Sequence, residues 1–294
     1  MTSGSATLRD AVRDAAATLS DAGVDSAEFD AVALAAYALK TSAAQVRKLM
    51  IMGAPVPAGF EDLVAERARR VPLQHLTGKA GFRRLELSVG PGVFVPRFET
   101  EFVAGLAISH LLTTAEPGVP AVVVDLCAGS GAIALAIKDE VPGAEVHGAE
   151  LSELAHAWAI HNREELGLDV DIRLGDAAAA FPDLEGSVDV VVSNPPYIPV
   201  GAVPNDPEVR DHDPEVALYG GSSDGLRIPL EVAARGAVLL RPGGFFVMEH
   251  ADVQGGSLLA ALSATGVWQD ICDHLDLNKR PRAVTAVRGP RAEH

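Results

Sequence analysis

From residue 121 onward, short apolar segments typical of strands alternate with longer segments typical of helices. Strands are predicted at 121–126, 145–150, 170–174, 187–193, 243–249, 267–273 and 282–288. Helices are predicted at 131–140, 152–166, 226–240 and 255–264. This alternation predicts an α/β fold with a seven-stranded, mainly parallel sheet that helices cover on both faces. Ligands of such sheets bind beyond the carboxyl ends of the strands, at the switch in strand order.

The chain before this region predicts a helical bundle followed by a hairpin. Leu8, Val12, Ala15 and Leu19 recur at helical spacing, and helical patterns continue to about residue 70. Residues 71–96 combine turn signals with alternating side chains, which indicates a β-hairpin linker. The bundle contains no chemical motif, so a packing role and a partner-recognition role both stay open.

The net charge of −16 argues against a protein whose affinity depends on neutralising phosphate groups. We therefore expect no direct binding to nucleic acid. Basic residues do gather before position 85, and we interpret them as a solvated helix end and hairpin: Arg67, Arg69, Arg70, Lys79, Arg83 and Arg84.

Cysteine and histidine usage indicates neither disulfides nor a metal site. Cys127 and Cys272 are too few and too far apart for a disulfide framework or a zinc site, and the nine histidines lack metal-ligand spacing. The first residues lack a signal-peptide pattern, and no apolar run approaches the roughly 20 residues of a membrane span. We expect a cytoplasmic protein without a membrane partner.

The first predicted strand, AVVVDL, runs into the glycine-containing loop CAGSG before a helix. Gly129 and Gly131 permit a tight turn and a close approach of the backbone to a ligand. Ala134 also fits the third position of a dinucleotide fingerprint, so the spacing alone leaves a dinucleotide open. Asp125, directly before the loop, favours S-adenosylmethionine, because a carboxylate suits the cationic amino acid end of that cofactor better than a pyrophosphate.

Two further acidic residues follow the next two predicted strands. Glu150 lies about 20 residues beyond the loop, where a carboxylate accepts hydrogen bonds from ribose hydroxyl groups. Asp176 lies where the amino group of adenine is expected, although Gly-Asp is also an ordinary turn. The residues predicted to bind the cofactor, from these patterns and from resemblance to a known family, are Asp125, Cys127, Ala128, Gly129, Ser130, Gly131, Glu150, Asp176, Ala177 and Asn194.

The most specific motif is the tetrapeptide Asn194-Pro195-Pro196-Tyr197, which ends the fourth predicted strand. The two prolines lack backbone N–H groups and hold an extended, stiff loop. Asn194 supplies a side-chain carbonyl and Pro195 a main-chain carbonyl, so the pair can accept both hydrogens of a planar NH2 group. An amide or aromatic amine needs this positioning because its lone pair is delocalised. Tyr197 can pack against the flat acceptor. The tetrapeptide is the predicted catalytic and substrate-binding set.

With these residues in place, the chain resembles the HemK/PrmC protein-glutamine methyltransferases over nearly its whole length. The matching segments are RRVPLQHLTG (69–78), GVFVPRFETE (92–101), VVDLCAGSGAIALA (123–136), SNPPYIP (193–199), PEVRDHDPEVALYGGSSDGL (207–226) and GGFFVMEHADVQ (243–254). The tetrapeptide alone also resembles amino-methyltransferases of DNA and RNA. The segments around 72–78 and 95–101 resemble the protein-glutamine group, and within it the release-factor branch more than the ribosomal-protein branch.

The resemblance implies a Rossmann-like class I methyltransferase domain at 99–294, a helical domain at 1–72 and a β-hairpin linker at 73–98, and substrate recognition stays one of the two roles open to the helical domain. It implies methyl transfer from S-adenosylmethionine, leaving S-adenosylhomocysteine, to the glutamine amide of a Gly-Gly-Gln motif in peptide chain release factors. Phe94 and Arg97 are then expected to line the mouth of the active site.

The chain departs from the family pattern at a few cofactor and linker positions. Cys127 and Ala128 replace Gly-Thr, Glu150 replaces an aspartate, Ala177 replaces a frequent tryptophan, and Phe98 replaces a proline. These departures concern the contacts to ribose and adenine, whereas the tetrapeptide is intact. Methylation of adenine, cytosine or guanine amines, ribosomal-protein methylation and cofactor binding without catalysis stay as alternatives. We interpret residues 198–225 as a mobile cover over the substrate.

Overall fold

The computed structural model describes residues 6–114, 116 and 118–290, and these divide into two compact units. Unit 1 comprises the described part of Met1–Lys79 together with Pro204–His212. Unit 2 comprises the described part of Ala80–Val203 and Asp213–His294. In these described ranges, none of the helices has the length and apolar character needed to cross a membrane. The first five residues, on which part of the signal-peptide argument depends, lie outside the described residues.

Unit 1 is helical. Its helices are α1 (Leu8–Asp21), α2 (Ala27–Ala38), α3 (Ala43–Ile51), α4 (Phe60–Ala68) and α5 (Leu73–Thr77), and a short helix at Pro207–His212 belongs to the same unit. The side chain of Thr7 caps α1 by accepting a hydrogen bond from the backbone N–H of Asp10. Leu8, Val12 and Leu19 of α1 are buried, so the helical spacing in the sequence marks the packed face.

Unit 2 contains a hairpin and a seven-stranded sheet. The hairpin strands are β1 (Lys79–Phe82) and β2 (Leu85–Ser88). The sheet strands are β3 (Val122–Leu126), β4 (Glu145–Glu150), β5 (Asp171–Leu174), β6 (Val188–Ser193), β7 (Leu240–Glu249), β8 (Trp268–Leu275) and β9 (Pro281–Arg288). Their order is β5-β4-β3-β6-β7-β9-β8, and β9 is antiparallel to both of its neighbours. The predicted α/β fold with a seven-stranded, mainly parallel sheet is confirmed.

Helices cover both faces of this sheet. They are α6 (Phe98–Thr114), α7 (Ala132–Glu140), α8 (Glu153–Leu166), α9 (Arg227–Leu239) and α10 (Gly255–Ala264). Val123 packs with residues of α6 and α7, and the adjacent Val124 packs with residues of α9 and α10. Successive side chains of a strand point to opposite faces, so a run of valines supplies both cores.

The chain order places the switch point of the sheet between β3 and β6. The strands β4 and β5 extend the sheet on one side of β3, whereas β6 and β7 extend it on the other. Because these strands are parallel, the loops that follow β3, β4, β6 and β7 begin at the same edge. The predicted cofactor loop and the tetrapeptide both begin at this edge.

Unit 1 contains a buried charge network that the sequence did not indicate. Nε of Arg67 donates to Asp30 at 2.7 Å, and its Nη1 donates to Glu208 at 2.7 Å. Arg70 also donates to Glu208, through Nε at 2.7 Å. Burial alone would raise the pKa of Glu208, but hydrogen bonding from Arg70 and Arg67 holds this pKa well below its ordinary value. The interpretation of Arg67 as a solvated basic residue is therefore wrong, since its side chain is buried and paired.

We expect the change Arg67→Ala to lower the free energy of unfolding of unit 1 by about 3–5 kcal/mol, because it leaves the buried Asp30 carboxylate without its partner. The control is Arg13→Ala, which removes an exposed pair with Asp14 and should cost less than about 1 kcal/mol. Hydrogen exchange of the α1, α2 and α4 amides at increasing denaturant measures both values. Equal costs at the two positions would contradict the assignment.

Candidate active site

The strand register brings four residues together at the edge of the sheet where strands β3, β4, β6 and β7 end. Leu126 of β3 is paired with Ala149 of β4 on one side and with Ser193 of β6 on the other. Ser193 is in turn paired with Met248 of β7. The next residue of each strand therefore stands at the same level of the sheet. These residues are Cys127, Glu150, Asn194 and Glu249.

Backbone hydrogen bonds hold the loop after β3 against the end of β4. The N–H groups of Cys127 and Ala128 both donate to the carbonyl oxygen of Ala149, at 3.1 and 2.8 Å. The N–H group of Gly129 donates to Oε2 of Glu150 at 2.7 Å. The loop and the predicted ribose-binding carboxylate therefore form one connected structure.

The fully buried side chain of Asn162 in α8 fixes the other side of this loop. Its Nδ2 group donates to the carbonyl oxygens of Ser130 and Ser88, each at 3.0 Å. Its Oδ1 atom accepts from the N–H group of Ser88 at 2.7 Å. Ser130 is itself buried, so its hydroxyl group is not displayed at the surface of the loop.

The two loop glycines have different surroundings. At Gly131, with φ of 83°, an added Cβ would lie 2.9 Å from Cδ1 of Leu135, so packing as well as conformation requires glycine. At Gly129, with φ of 58°, an added Cβ would meet nothing within 4 Å. The open space lies beside the N–H group that the Glu150 carboxylate fixes. A glycine turn next to such a carboxylate fits a ribose-containing cofactor.

Cys127 has a backbone conformation that side chains rarely adopt. Its φ is 75°, in the left-handed region that favours glycine. This explains why the resembling family has glycine at this position and indicates local strain in the present loop. Burial raises the pKa of the Cys127 thiol, with the nearby charge of Glu150 acting in the same direction. The side chain is therefore a neutral thiol.

The predicted carboxylate of Asp125 lies beneath the loop. The residue is fully buried, and its Oδ2 atom accepts from the N–H group of Ala134 in α7 at 3.2 Å. Its Oδ1 atom is buried and accepts no hydrogen bond from the described residues. Burial raises the pKa of Asp125 to about 8, with the hydrogen bond from Ala134 acting against the rise. At neutral pH the group is thus held largely in its neutral form.

Glu150 is buried, yet it has hydrogen-bond donors at both oxygens. Oε1 accepts from the N–H group of Ser152 at 2.8 Å, in addition to the bond between Oε2 and Gly129. Burial raises the pKa of Glu150, while these backbone bonds oppose the rise. Each carboxylate oxygen keeps a further lone pair, so Glu150 can still accept from two hydroxyl groups.

Asp176 and Ala177 lie after β5, at the end of the neighbouring strand. Asp176 is exposed, and its Oδ1 atom accepts from the N–H group of Ala178 at 2.9 Å, which caps a short 3-10 turn. Ala177 is partly buried and packs against the apolar core beneath the sheet. Their predicted contacts with adenine stay a prediction.

The tetrapeptide presents two carbonyl oxygens without protein partners. Nδ2 of Asn194 donates to Oγ1 of Thr100 at 3.1 Å, which identifies Oδ1 as the free acceptor of this side chain. Neither Oδ1 of Asn194 nor the carbonyl oxygen of Pro195 accepts a hydrogen bond from a described residue. Pro195 and Pro196 are buried, so the backbone that carries these acceptors is fixed by packing.

Tyr197 is tied at both its hydroxyl group and its backbone. Its hydroxyl group donates to Oε1 of Glu249 at 3.2 Å, and its carbonyl oxygen accepts from Nε2 of Gln254 at 2.8 Å. Burial, followed by the charge of Glu249, raises the pKa of Tyr197 well above its ordinary value. Tyr197 is therefore an uncharged, oriented ring.

The base of the segment that follows the tetrapeptide is hydrogen-bonded. The N–H group of Ile198 donates to Leu218, that of Gly220 donates to Ile198, and that of Val200 donates to Ser222. Residues 204–212 belong to unit 1. The interpretation of 198–225 as a mobile cover stays a prediction, although its two ends are paired with each other.

The linker residues Phe94 and Arg97 contact each other. The guanidinium group of Arg97 lies 4.9 Å from the centre of the Phe94 ring, and its Nη2 donates to Asp213 at 2.7 Å. Asp213 belongs to the segment that returns after the tetrapeptide. The expected place of Phe94 and Arg97 at the mouth of the site stays a prediction.

Sequence reasoning missed four polar residues that hold the predicted ones in place: Thr100, Asn162, Glu249 and Gln254. Thr100, Glu249 and Gln254 lie within segments that carried the family resemblance, and that was the available signal. Among the described residues, no group of three or more His, Cys, Asp and Glu side chains is arranged to hold a metal ion.

Comparisons with family models and solved structures define the class of protein. Residues 10–78 match the PrmC N-terminal domain, and residues 85–204 match the methyltransferase small domain. A T. thermophilus 16S rRNA N2 G1207 methyltransferase, solved with AdoMet and guanosine, shares the fold with a TM-score of 0.52 and 23% identity. That match covers 71% of this chain and 49% of the other. The fold and the family models define an S-adenosylmethionine-dependent methyltransferase.

Curated relatives define the family. The chain is 50% identical over 278 residues to a release factor glutamine methyltransferase of Streptomyces coelicolor, covering 94% of this chain and 96% of the relative. It is also 39% identical over 291 residues to a 4-amino-L-phenylalanine/4-methylamino-L-phenylalanine methyltransferase of Streptomyces pristinaespiralis, covering 98% and 97%. The chain belongs to the release factor glutamine methyltransferase family.

We expect Glu150→Ala to weaken S-adenosylhomocysteine binding by roughly 10- to 100-fold, because it removes the acceptor that fixes Gly129 and the predicted ribose contacts. Isothermal titration calorimetry measures the affinity. The matched control is Glu153→Ala, an exposed acid in the first turn of α8, which should leave the affinity unchanged. Equal affinity in wild type and Glu150→Ala would remove Glu150 from the cofactor site.

Proposed function

We propose that this protein transfers a methyl group from S-adenosylmethionine to the side-chain amide nitrogen of the glutamine in the Gly-Gly-Gln motif of peptide chain release factors. Family membership supports this proposal, since the S. coelicolor relative is named for release factor glutamine. The single structural observation that carries it is the pair of free acceptors at Asn194 and Pro195. We also propose a cytoplasmic location, because release factors act in translation.

The acceptor pair matches the chemistry of a primary amide. Oδ1 of Asn194 and the carbonyl oxygen of Pro195 each accept one hydrogen of the NH2 group, so the nitrogen lone pair is oriented without a strong base. The partial negative charges of these two oxygens also favour the positive charge that develops on nitrogen during attack. Pro196 keeps the Pro195 carbonyl free, because its nitrogen carries no hydrogen.

When bound, S-adenosylmethionine supplies a methyl group on a cationic sulfur and leaves as the neutral thioether S-adenosylhomocysteine. The residues proposed to hold it are those of the 127–131 loop, Glu150 and Asp176, with Asp125 supporting the loop from below. Asn194 borders both ligands. The methylated nitrogen then loses one of its two protons to water, which needs no protein base because an amide cation is strongly acidic.

The remaining residues of the site are proposed to select the acceptor. Tyr197, fixed by Glu249 and Gln254, packs against the flat glutamine amide. Phe94 and Arg97 line the entrance for the peptide. We propose the helical part at 1–72 as the region that recognises the release factor, with the hairpin linker at 73–98 and the methyltransferase domain at 99–294.

A second acceptor class has one observation in its favour. A relative that covers nearly the whole chain is named for methylation of 4-amino-L-phenylalanine. An aromatic amine presents the same planar NH2 group, so the acceptor pair alone does not exclude it. The acidity of the chain argues against nucleic acid as acceptor.

The decisive experiment offers the protein and radiolabelled S-adenosylmethionine four acceptors in parallel. These are a release factor, the same factor with its motif glutamine changed to alanine, free 4-amino-L-phenylalanine and duplex DNA. We expect label in the intact release factor alone. Label in the free amino acid or in DNA instead would replace the proposed acceptor, and label in the alanine variant would place the modified atom elsewhere.

We expect Asn194→Ala to lower kcat by about 100-fold or more, a larger factor than the loss of affinity for S-adenosylhomocysteine, because the change removes one of the two acceptors. Single-turnover transfer and calorimetry measure the two quantities. The control is Asn278→Ala, an exposed asparagine in the turn between β8 and β9. Retention of wild-type kcat in Asn194→Ala would contradict the proposed grip.

A further inference from the structure

The carboxylate of Glu249 is not among the groups proposed to touch the acceptor amide, yet it hydrogen-bonds Tyr197 of the tetrapeptide. The residue ends β7, one strand from the tetrapeptide, and is only 2% exposed. An acidic side chain is rarely buried to this degree without partners that use its charge. Its Oε2 atom accepts no hydrogen bond from the described residues. Burying this group is therefore costly unless its charge holds other groups in place.

Glu249 is connected to both ends of the tetrapeptide. At one end the hydroxyl group of Tyr197 donates to Oε1 of Glu249 at 3.2 Å. At the other end Asn194 donates to the hydroxyl oxygen of Thr100 at 3.1 Å, and hydrogen bonding from the Thr100 side chain lowers the pKa of Glu249. One carboxylate thus connects the residue that packs on the acceptor with the residue that grips its NH2 group.

The direction of these hydrogen bonds follows from donor and acceptor capacity. An ionised carboxylate only accepts, so in hydrogen bonding between these two residues the hydroxyl hydrogen of Thr100 points to Glu249. The oxygen of Thr100 is then left as an acceptor for Nδ2 of Asn194. Because the Asn194 amide is planar, Oδ1 is turned to the opposite side. An Asn194 side chain flipped by 180° would instead place two acceptor oxygens against each other.

We propose that Glu249 is a positioning residue of the transfer reaction, which acts through Thr100 to fix the orientation of the Asn194 amide and acts directly to hold Tyr197. The inference rests on the proposed function, because it concerns the same acceptor site. It assigns a role to Thr100 as well, and so gives a physical reason for the presence of the GVFVPRFETE segment beside the tetrapeptide.

The protonation state of Glu249 determines whether this arrangement holds. The charged and titratable groups that act on it are Glu99 from α6, Tyr197 from the loop after β6 and Arg282 from β9. Burial raises the pKa of Glu249 to about 7, whereas hydrogen bonding from Thr100 and Tyr197 and the charge of Arg282 act against the rise. Below this pH the protonated carboxyl group of Glu249 can itself donate to Thr100. The hydrogen bonds from Glu249 through Thr100 to Asn194 then no longer have one fixed direction. Activity should therefore fall as the pH decreases through about 7.

The test uses the full chain with Glu249→Gln, Thr100→Val and Thr100→Ser. We expect Glu249→Gln and Thr100→Val to lower kcat roughly 10- to 100-fold with little change in KM for S-adenosylmethionine, since a misplaced acceptor affects the transfer step. Thr100→Ser keeps the hydroxyl group and should stay within a few-fold of wild type. The rise of kcat through pH 7 should be absent in Glu249→Gln.

Matched controls separate positioning from general damage. Thr113→Val changes an exposed threonine of the same helix, and Glu164→Gln changes an exposed glutamate of α8; both should keep the wild-type kcat and pH profile. Glu249→Gln and Thr100→Val should melt no earlier than these controls by more than a few degrees. A loss of kcat accompanied by a large loss of thermal stability, with no change in the shape of the pH profile, would overturn the positioning role.

A readout without catalysis distinguishes this inference from the proposed function. In the free protein, the 15N-labelled side-chain amide signals of Asn194 should shift with a midpoint near pH 7. That shift should disappear in Glu249→Gln and Thr100→Val. If it is present but no release factor is labelled, the proposed function fails while the positioning network stands. If release factor is labelled but the Asn194 signals do not respond and Glu249→Gln keeps the wild-type kcat, the inference is overturned.

Discussion

The parallel register of four neighbouring strands is the constraint on which the site depends. Leu126 lies between Ala149 and Ser193, and Ser193 lies beside Met248, so each strand ends at the same level. The proposed cofactor loop, Glu150, the tetrapeptide and Glu249 therefore each begin at the residue that follows a paired position. A one-residue slip of any strand would move its functional residue from this edge and would also turn its apolar side chains to the wrong face. The valine-rich cores on both faces therefore fix the site as well as the fold.

Within this frame, the chemistry requires acceptors that are free and oriented. The prolines keep the Pro195 carbonyl free by removing a donor, and Thr100 orients Asn194 by occupying its amino group. The same principle applies to the proposed cofactor loop, where Glu150 accepts from the N–H group of Gly129 and Asn162 donates to the carbonyl oxygen of Ser130. In both halves a buried polar side chain satisfies one backbone or side-chain group and thereby leaves its neighbour available to a ligand.

The sequence predicts features that come from a repeated pattern of segments, or from a short motif whose residues allow few backbone conformations. Alternation of short apolar and longer helical segments predicts the sheet, and two prolines after an asparagine predict the acceptor pair. Thr100 has no such signature, because one threonine in the first turn of a helix reads as an ordinary helical residue. Glu249 ends a strand and reads as a surface acid, since nothing local shows that β9 and α6 bury it. The pairing of Arg67 with Glu208 joins residues 141 positions apart, and no local pattern reports such a contact.

Several unfavourable features of unit 2 lie at the same edge as the site. Cys127 has a left-handed backbone, Asp125 and Glu249 each bury an oxygen that no described residue satisfies, and Cys127, Asp125 and Glu249 all belong to β3, β7 or the loop after β3. Polar side chains buried elsewhere in the strands, such as His147 of β4 and Thr285 of β9, have hydrogen-bond partners. Strained backbone and unpaired buried polar groups are common at functional sites, where a rigid surrounding core holds them in place. Burial also raises the pKa values of the Asp125 and Glu249 carboxyl groups. Excluding water from the site strengthens hydrogen bonds to its carbonyl acceptors, and the same exclusion disfavours the charged form of its acids.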